Sequence, residues 1–262
     1  MSSKINWLIE HTLPGSLVLQ PWLTQHGISF SLTQKYVASG WLRKLAPGVY
    51  VRPVAGKAPA PSWADAVQAL TEQLNLPVHL AGLSSLAQQG FSHYLSFGQA
   101  AVWVGVRNKQ SLPKWFRELP GQEWRFCSNN KLTEMTADDF TLLTVDGRKL
   151  KASKPELAAY EVVDAVDRLI SFEHAAELFQ GLVNLSPRKV QALLERSRAV
   201  QTNRVFLFLS HQCGHQWAKR IDESRVMLGS GKRQVVRNGR YDERYQITVP
   251  RSLTASESAR NG

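Results

Sequence analysis

Cysteine is scarce in this chain: Cys127 and Cys213 are the only two among 262 residues. Two cysteines this far apart give no disulfide framework, which fits a protein of a reducing compartment. No apolar run approaches the roughly 20 residues that a membrane-spanning helix requires. The N-terminal segment MSSKINWLIEHTL also lacks the long apolar core and cleavage site of a signal peptide. We therefore expect a cytoplasmic protein that has no membrane partner.

Acidic residues are scarce at the N-terminus. Residues 1–60 contain six lysines and arginines but one carboxylate, Glu10, whereas residues 61–150 contain eight residues of each sign. Residues 151–262 contain 18 basic and 12 acidic residues, so the formal net charge of +11 is concentrated at the two ends. Such a field favours polyanionic partners, although it does not specify which sequence is bound.

The segment FSLTQKYVASGWLRKLAPGVYVRP, residues 30–53, carries the most informative pattern. Ser31 is a suitable N-cap residue, and Gly40 suits the left-handed position that ends a helix. Between them, apolar residues recur at helical spacing. Two short strands should follow around the turn Pro47-Gly48, with basic residues along them. A polar helix followed by a basic hairpin is typical of a winged helix-turn-helix.

Two earlier helices complete this motif. Helical spacing is seen from Lys4 to Thr12 and from Leu17 to Gln25. Pro14-Gly15 separates the two, and His26-Gly27 ends the second. The connection HGIS is as short as the turn of a helix-turn-helix requires. Residues 1–56 therefore predict a winged helix-turn-helix DNA-binding domain.

The third helix, Ser31 to Ser39, should be the one that contacts bases. On its outward face, glutamine could pair with adenine and lysine with guanine, while basic residues of the hairpin would contact phosphates. The candidate DNA-binding residues are Ser31, Thr33, Gln34, Lys35, Arg43, Lys44 and Arg52. The alternative is an ordinary solvated helix face. Which of Arg43 and Lys44 faces the DNA depends on a strand register that the sequence leaves open.

After an Ala/Pro-rich linker, residues 54–61, the pattern is a mixture of helix and strand. For residues 57–150 we expect a helix capped by Ser62, a helix between Pro77 and Gly90, strands at AAVWVGV and EWRFCS, and a hairpin at Asp146-Gly147. For residues 151–251 we expect helices from Pro155 to Leu169, from Ser171, from Ser186, and through VFLFL to Lys219, then a hairpin at Asn238-Gly239. The sequence thus predicts an α+β protein: the winged domain 1–56, a larger α+β domain 57–251 divisible into lobes 57–150 and 151–251, and a frayed tail 252–262.

Motifs for catalysis, metal or nucleotide binding are incomplete. His211 and His215 in HQCGHQW lack the further ligands of a zinc site. GSGKR, residues 229–233, lacks the first glycine and the final Ser/Thr of a phosphate-binding loop. The adjacent carboxylates Asp138 and Asp139 do not face each other on a helix, which favours a loop or N-cap role. We expect no cofactor, no metal and no enzymatic activity.

A second group of basic residues lies in the C-terminal half. Its members are Arg188, Lys189, Lys232, Arg233, Arg237 and Arg240. These residues could form a second nucleic-acid surface. The alternative is a solvated face that affects solubility only, because charged runs are usually of this kind.

Both ends of the chain resemble one family. Gly40-Trp41-Leu42-Arg43 with Leu45 and Pro47-Gly48-Val49-Tyr50 resembles the N-terminal winged domain of the AbiEi antitoxins. Gly229 to Arg233, Gly239-Arg240-Tyr241 and Ile247 to Pro250 resemble the end of the C-terminal domain of that family. Ala46-Pro47 departs from the pattern, since many relatives carry a basic residue at this point of the wing.

This resemblance implies an antitoxin of a type IV toxin–antitoxin system, linked to phage resistance. Its winged domain would repress its own operon by binding inverted repeats in promoter DNA. Its C-terminal domain would counter a nucleotidyltransferase-like toxin without a stable complex. Two alternatives remain: a transcriptional regulator that senses a ligand or partner through its larger domain, and a nucleic-acid enzyme with an unrecognised active site.

Overall fold

The computed structural model describes residues 3–55, 61–91, 101–107 and 111–253. Most of the expected linker and of the expected frayed tail therefore lies outside the described residues. Contacts divide the chain into two compact units. The first unit draws on residues 1–79, 110–124 and 142–150, and the second on residues 80–109, 125–141 and 151–262. The expected mixture of helix and sheet is confirmed.

The N-terminal elements of the first unit follow the order α1 (Lys4–His11), β1 (Leu17–Leu19), α2 (Gln20–Gln25), α3 (Phe30–Ala38), β2 (Arg43–Ala46) and β3 (Val49–Val51). β3 is the central strand of an antiparallel sheet, with β1 on one side and β2 on the other. One apolar core joins the helices to this sheet, and it contains Leu8, Val18, Leu23, Ile28, Leu42 and Tyr50. The expected hairpin after the third helix is confirmed.

The second helix is shorter than the sequence predicts. Leu17 to Leu19 form β1, and α2 begins only at Gln20. All three β1 residues are buried, and they pair with β3. Pro21 lies in the first turn of α2, where its missing N–H costs no hydrogen bond. The prediction of a helix from Leu17 was wrong because pairing with β3, some distance along the chain, fixes these residues as strand.

The two ends of α3 are fixed by different contacts. The N-cap is Ser29 rather than Ser31, because the Ser29 hydroxyl accepts a hydrogen bond from the Leu32 amide at 3.3 Å. Ser31 lies inside the helix, so its predicted cap role was wrong. Gly40, with φ of 77°, occupies the expected left-handed position. The Tyr36 carbonyl accepts from the amides of Trp41 (2.9 Å) and Leu42 (3.2 Å), which ties the end of α3 to the start of the hairpin.

The open edge of β1 is closed by a side chain. Ser62 caps α4 (Trp63–Gln68), as expected, in a capping box with Asp65. A π-helical turn, Ala69–Gln73, continues α4. The Gln73 amide accepts from the Leu19 N–H at 2.8 Å and donates to the Leu17 carbonyl at 2.7 Å. Because a glutamine amide has one acceptor and two donor hydrogens, it substitutes for a neighbouring strand.

The middle of the chain contains β4 (Val78–Leu80), α5 (Gly82–Gln88), β5 (Val102–Val106), α6 (Lys114–Arg117), β6 (Trp124–Cys127), β7 (Phe140–Val145) and β8 (Arg148–Ser153). The five strands form one sheet in the order β6-β5-β4-β8-β7. Positive φ angles at Asp146 and Gly147 confirm the predicted two-residue hairpin turn. The helix expected after Pro77 begins only at Gly82, because Val78 to Leu80 are buried as a strand.

The second unit is dominated by α7 (Pro155–Asp164), α8 (Phe172–Gly181), α9 (Pro187–Glu195) and α10 (Val200–Gln212), followed by β9 (Arg240–Asp242) and β10 (Ile247–Val249). The predicted starts at Pro155, Ser171 and Ser186 are confirmed. Two predicted ends were wrong, since α7 stops before Leu169 and α10 stops before Lys219. The β9–β10 turn lies between Asp242 and Ile247, so the hairpin is not at Asn238-Gly239.

A buried carboxylate organises one end of this second unit. Glu161 of α7 is 1% exposed, and it accepts hydrogen bonds from the Gly82 amide (2.8 Å), the Ser153 hydroxyl (2.9 Å) and the Asn129 amide (2.6 Å). Burial of the nearby Cys127 thiol, and secondarily the charge of Glu161, raises the pKa of that thiol. Such a satisfied polar network holds helix and strands in one arrangement.

Candidate nucleic-acid interface

The outward face of α3 consists of two adjacent rows of residues. Phe30, Gln34 and Ala38 form one row at a spacing of four, and Ser31 and Lys35 form the other. All are exposed except Gln34, which is half-buried. The opposite side of α3 packs on the core through Leu32, Tyr36 and Val37, and burial raises the pKa of Tyr36.

Thr33 does not face outward as predicted. It is fully buried, and its hydroxyl donates to the Ser29 carbonyl at 3.0 Å. The sequence placed it outside because threonine is polar, but a threonine inside a helix satisfies its hydroxyl through the carbonyl four residues earlier. Thr33 therefore supports α3 from the inside.

The register of the hairpin separates Arg43 from Lys44. Lys44 is opposite Tyr50, and Arg43 is opposite Val51. Opposite residues of an antiparallel pair lie on the same face of the sheet, and Tyr50 lies in the core beneath the helices. Lys44 is therefore on the side of α3, whereas Arg43 is on the reverse side. Both side chains are exposed.

Gln34 is connected to the same strand position. Its side-chain amide donates to the Tyr50 hydroxyl at 3.2 Å. Because Lys44 is directly opposite Tyr50, α3 and the hairpin present Gln34 and Lys44 on one side of the unit. The Tyr50 hydroxyl thus accepts from the candidate base contact, Gln34, while the backbone position of Tyr50 is opposite the candidate phosphate contact, Lys44.

Arg52 has a different environment. Its guanidinium donates to the Ile9 carbonyl at 3.0 Å and to the Thr12 carbonyl, at the C-terminal end of α1. A cation at this end satisfies the last carbonyls and interacts favourably with the helix dipole. The contacts of Arg52 in this structure are therefore internal.

The sequence segment that carries this face contains no acidic residue. No Asp or Glu occurs between Glu10 and Asp65, a segment that holds α2, α3 and the hairpin. Asp65 itself is buried and paired with Arg148 at 2.5 Å. The exposed charges of Lys35, Arg43 and Lys44 are thus uncompensated by any acidic residue of their own segment, which favours an anionic partner.

The second basic group separates into two environments. Arg188 and Lys189, at the start of α9, line a cavity of about 430 Å³ together with Glu134, Asp138, Asp139 and Glu195. Lys232, Arg233, Arg237 and Arg240 belong to the C-terminal segment, where the Lys232 ammonium lies 4.9 Å from the centre of the Tyr241 ring. In this C-terminal set Lys232, Arg237 and Arg240 are exposed, and no Asp or Glu occurs between Glu223 and Asp242.

The loop GSGKR is organised around a buried cation. The Arg204 guanidinium donates to the carbonyls of Leu228 (2.7 Å), Gly231 (2.7 Å) and Gly229 (3.1 Å). Burial, and secondarily the Arg233 charge, lowers the pKa of Arg204. The loop thus turns carbonyl oxygens inward and carries Lys232 on its outer side.

The two histidines of HQCGHQW have separate partners. His211 is 2.9 Å from a Glu223 carboxylate oxygen, and His215 is 2.6 Å from the Phe179 carbonyl. Across the described parts of the chain, no group of three or more His, Cys, Asp or Glu side chains is placed to hold a metal ion. Within those same parts, no helix combines the length and apolar character needed to cross a membrane.

Comparison with known families covers almost the whole sequence. Residues 1–97 match the family described as transcriptional regulator, AbiEi antitoxin N-terminal domain. Residues 99–250 match the family described as transcriptional regulator, AbiEi antitoxin, type IV TA system. The chain belongs to the AbiEi family. The resemblance seen in the sequence is thereby confirmed, as is an α+β fold in which an N-terminal family domain precedes a larger C-terminal one.

A solved structure shares the fold of this AbiEi family member. It is the crystal structure of the RV2827C protein from Mycobacterium tuberculosis, with 14% identity and a TM-score of 0.65. The match covers 97% of this chain and 93% of the other. No match was found among the curated proteins.

Sequence reasoning missed Phe30 in the candidate interface. With Ser31 as the expected cap, Phe30 falls before the helix. Its position four residues before Gln34 is the signal that could have found it, since this spacing places both residues on one helix face.

Proposed function

We propose that this AbiEi family member is an antitoxin that represses its own operon, with residues 1–56 as a winged helix-turn-helix domain. The observation that carries the proposal is the shared face of α3 and the hairpin. There, Ser31, Lys35 and Lys44 are exposed beside Gln34, and the segment has no carboxylate. A duplex with one charge every ~1.7 Å of helix axis is the partner that such a face suits.

In this proposal α3 enters the major groove. The N-terminal residues of a recognition helix contact base edges, which assigns Ser31, Gln34 and Lys35 to the bases. Lys44, on the same side, contacts the phosphate backbone, and Arg43 contacts it from the reverse side of the hairpin. Thr33 and Arg52 hold the scaffold, given their internal hydrogen bonds.

We propose further that residues 57–251 counter a nucleotidyltransferase-like toxin without a stable complex, in the cytoplasm. The family description supports the antitoxin role. The exposed C-terminal cations Lys232, Arg237 and Arg240 are the surface we assign to it, as a site for nucleic acid shared with the toxin. In this proposal the protein has no enzymatic activity of its own.

Fluorescence anisotropy with the DNA upstream of the gene tests the repressor function. The protein is titrated against this DNA and against scrambled DNA of equal length, at two salt concentrations. We expect preference for the upstream sequence and a loss of affinity as salt rises, because phosphate neutralisation releases counterions. Equal, weak binding to both would show that the charge of +11 acts only as a non-specific field.

Single substitutions test the docking. Lys35→Ala should reduce both affinity and sequence preference, by about 1–3 kcal/mol if the contact is to a base. Arg43→Ala should weaken binding to all sequences and make the salt dependence shallower. The control is Lys114→Ala, because Lys114 is an exposed lysine of the same unit but lies outside the segment of α3 and the hairpin. Unchanged binding by both variants would overturn this docking.

Toxin rescue tests the antitoxin function. Co-expression with the product of a neighbouring nucleotidyltransferase-like gene should restore growth, while a pull-down should recover no complex. Absence of rescue with intact operator binding would instead favour a regulator that responds to a ligand or partner. Metal-dependent cleavage of DNA or RNA by the purified protein would favour an enzyme.

A further inference from the structure

Phe30 is a large apolar side chain on a face whose other residues are polar, except for the small Ala38. It is the first residue of α3 and is 60% exposed. It lies outside the core that the side chains of Leu32, Tyr36 and Val37 contact. A single exposed phenylalanine is common on protein surfaces, so its exposure alone assigns no role to it.

The position of Phe30 is what assigns a role. It lies four residues before Gln34 and next to Ser31, on the outward face of α3. Ser29 caps the helix directly before it, so the backbone that carries the ring is fixed. A ring at this point is at the N-terminal end of the helix, the end from which recognition helices contact base edges.

We infer that Phe30 determines specificity by packing against the methyl group of a thymine in the operator. This inference rests on the proposed function. The C5-methyl of thymine is the apolar group of the major groove, and phenylalanine is among the side chains that contact it. A cytosine at the same position has no C5-methyl group, so the ring would lose its apolar contact.

The charges around Phe30 favour DNA over a protein partner. Lys35 and Lys44 are exposed on the same side of the unit, and their segment contains no carboxylate. A second copy of the chain docked on this face would bring like charges together, which costs free energy. Phosphates on both sides of a major groove instead complement these charges while the bases meet the ring.

The test replaces thymine by deoxyuridine, which removes only the methyl group. Each thymine of the preferred upstream DNA is replaced in turn, and affinity is measured by anisotropy. We expect one thymine per half-site at which wild-type affinity falls roughly fourfold, the effect of one buried apolar carbon. Phe30→Ala should bind thymine and deoxyuridine DNA equally at that position, and Phe30→Leu should keep part of the difference.

Two controls accompany this cycle. Leu13→Ala removes another exposed apolar side chain of the same unit, 51% exposed, and should leave the thymine effect unchanged. Replacing the thymine pair by a cytosine pair should weaken wild-type binding, and 5-methylcytosine should restore part of the loss. That restoration should be absent in Phe30→Ala.

Different results would contradict the role of Phe30 and the repressor function. Specific binding with a thymine effect that survives in Phe30→Ala would overturn the inference and leave the repressor intact. A change of oligomeric state in Phe30→Ala with unchanged DNA affinity would overturn it too, and would identify a protein interface. No preference for the upstream DNA would overturn both.

Discussion

At the scale of single residues, Ser29 determines where α3 begins. Its hydroxyl satisfies the Leu32 amide, while the Ser31 hydroxyl lies 3.0 Å from that of Ser29 inside the first turn. The four first amides of a helix lack partners within the helix, so a side chain that accepts from one of them stabilises the start. The two serines thus have different energetic roles.

Ser29→Ala should destabilise α3 by about 1 kcal/mol, because the Leu32 amide loses its acceptor. Hydrogen exchange measured on the full chain should show roughly fivefold faster exchange in the α3 amides. Ser31→Ala is the matched control and should change exchange little. Equal acceleration in both variants would contradict the assignment of Ser29 as the cap.

Asp139 and Arg196 form a residue pair of a different kind. The guanidinium of Arg196 donates to both carboxylate oxygens of Asp139, at 2.7 and 2.8 Å, and the Thr136 amide adds a third bond at 2.6 Å. Burial raises the pKa of Asp139, but the hydrogen bonds from Arg196 and Thr136 together outweigh this, so its pKa lies below the usual range. The expected loop or N-cap position of the carboxylate pair was wrong, because Asp138 and Asp139 lie within a short 3-10 helix, Ala137–Asp139. Its N-cap is Thr136, and Asp139 closes a capping box with that residue.

Arg196→Met should lower the free energy of unfolding by roughly 3 kcal/mol at pH 7, because a buried carboxylate loses its cation. Asp139 has a depressed pKa when folded, so its contribution is present above the pKa of the unfolded chain, near ~4, and is lost as pH falls through the folded value. The difference in free energy of unfolding between wild type and Arg196→Met should therefore be smaller at pH 3 than at pH 7. Urea unfolding at both pH values measures it.

Two variants check this interpretation. Arg198→Met, at an exposed arginine two residues away, should change stability little. Asp139→Asn combined with Arg196→Met should lose less than the sum of the single changes, because the two residues interact directly. If the difference in free energy of unfolding between wild type and Arg196→Met stays constant between pH 7 and pH 3, ionisation of Asp139 is excluded as its cause.

At the scale of elements, the edge of β1 depends on Gln73. The side chain satisfies one N–H and one C=O of a strand that, among the described residues, has no neighbouring strand on this side. Gln73→Ala should lower the free energy of unfolding by about 1–3 kcal/mol through the unsatisfied groups. Gln73→Glu keeps the acceptor for Leu19 but loses the donor to Leu17, so an intermediate loss is expected. Chemical denaturation of the full chain would distinguish the three proteins, and equal stability would contradict the edge role.

Element types were predictable where the signal is local. The turn at Asp146-Gly147, the caps at Ser62 and Ser171, and the end of α3 at Gly40 each follow from residues within one turn. The short strands Leu17–Leu19 and Val78–Leu80 were missed because a brief apolar run fits a buried strand and a helix equally. Only the distant partners β3 and β8 decide between them.

The prediction of a hairpin at Asn238-Gly239 was wrong for another reason. Asn238 has a positive φ of 57°, so the dipeptide does turn the chain. A Cβ at position 239, however, would collide with the Val249 carbonyl oxygen. Glycine is therefore required by the close approach of another backbone segment, a long-range cause that the sequence does not display.

The candidate site was predictable in its chemistry but only partly in its members. Lys35 and Lys44 are exposed as the helix and strand patterns require. Thr33 was expected to face outward but is buried, and the hydrogen bonds of Arg52 are internal, because polarity alone does not reveal such contacts. Phe30 was not a candidate because an apolar residue is usually assigned to the core. Side-chain partners depend on neighbouring elements, which periodicity alone leaves undetermined.

At the scale of the whole molecule, positive charge is concentrated at two ends of the sequence. If Lys232, Arg233, Arg237 and Arg240 add a non-specific nucleic-acid contact, replacing all four by Gln should weaken binding to scrambled duplex. The dependence of log K on log salt should become shallower, by up to about 0.9 per lost phosphate contact. Preference for the upstream sequence should persist, because the N-terminal face is intact.

A charge-matched variant is the control for that experiment. Replacing Lys114, Arg117, Lys149 and Lys219 by Gln removes the same charge from exposed positions elsewhere. An identical change in both quadruple variants would mean that the total field, rather than the C-terminal segment, governs binding to scrambled DNA.

The double acceptor at the Tyr36 carbonyl has a consequence for the regulatory DNA itself. Because α3 and the following hairpin are joined through it, the proposed docking would hold the bases contacted by the helix and the backbone contacted by the hairpin a fixed number of base pairs apart. Within one half-site, an insertion or deletion between those positions would be read as a different operator. New operators for this family member would therefore arise through base changes within a half-site or through changes in the distance between two half-sites.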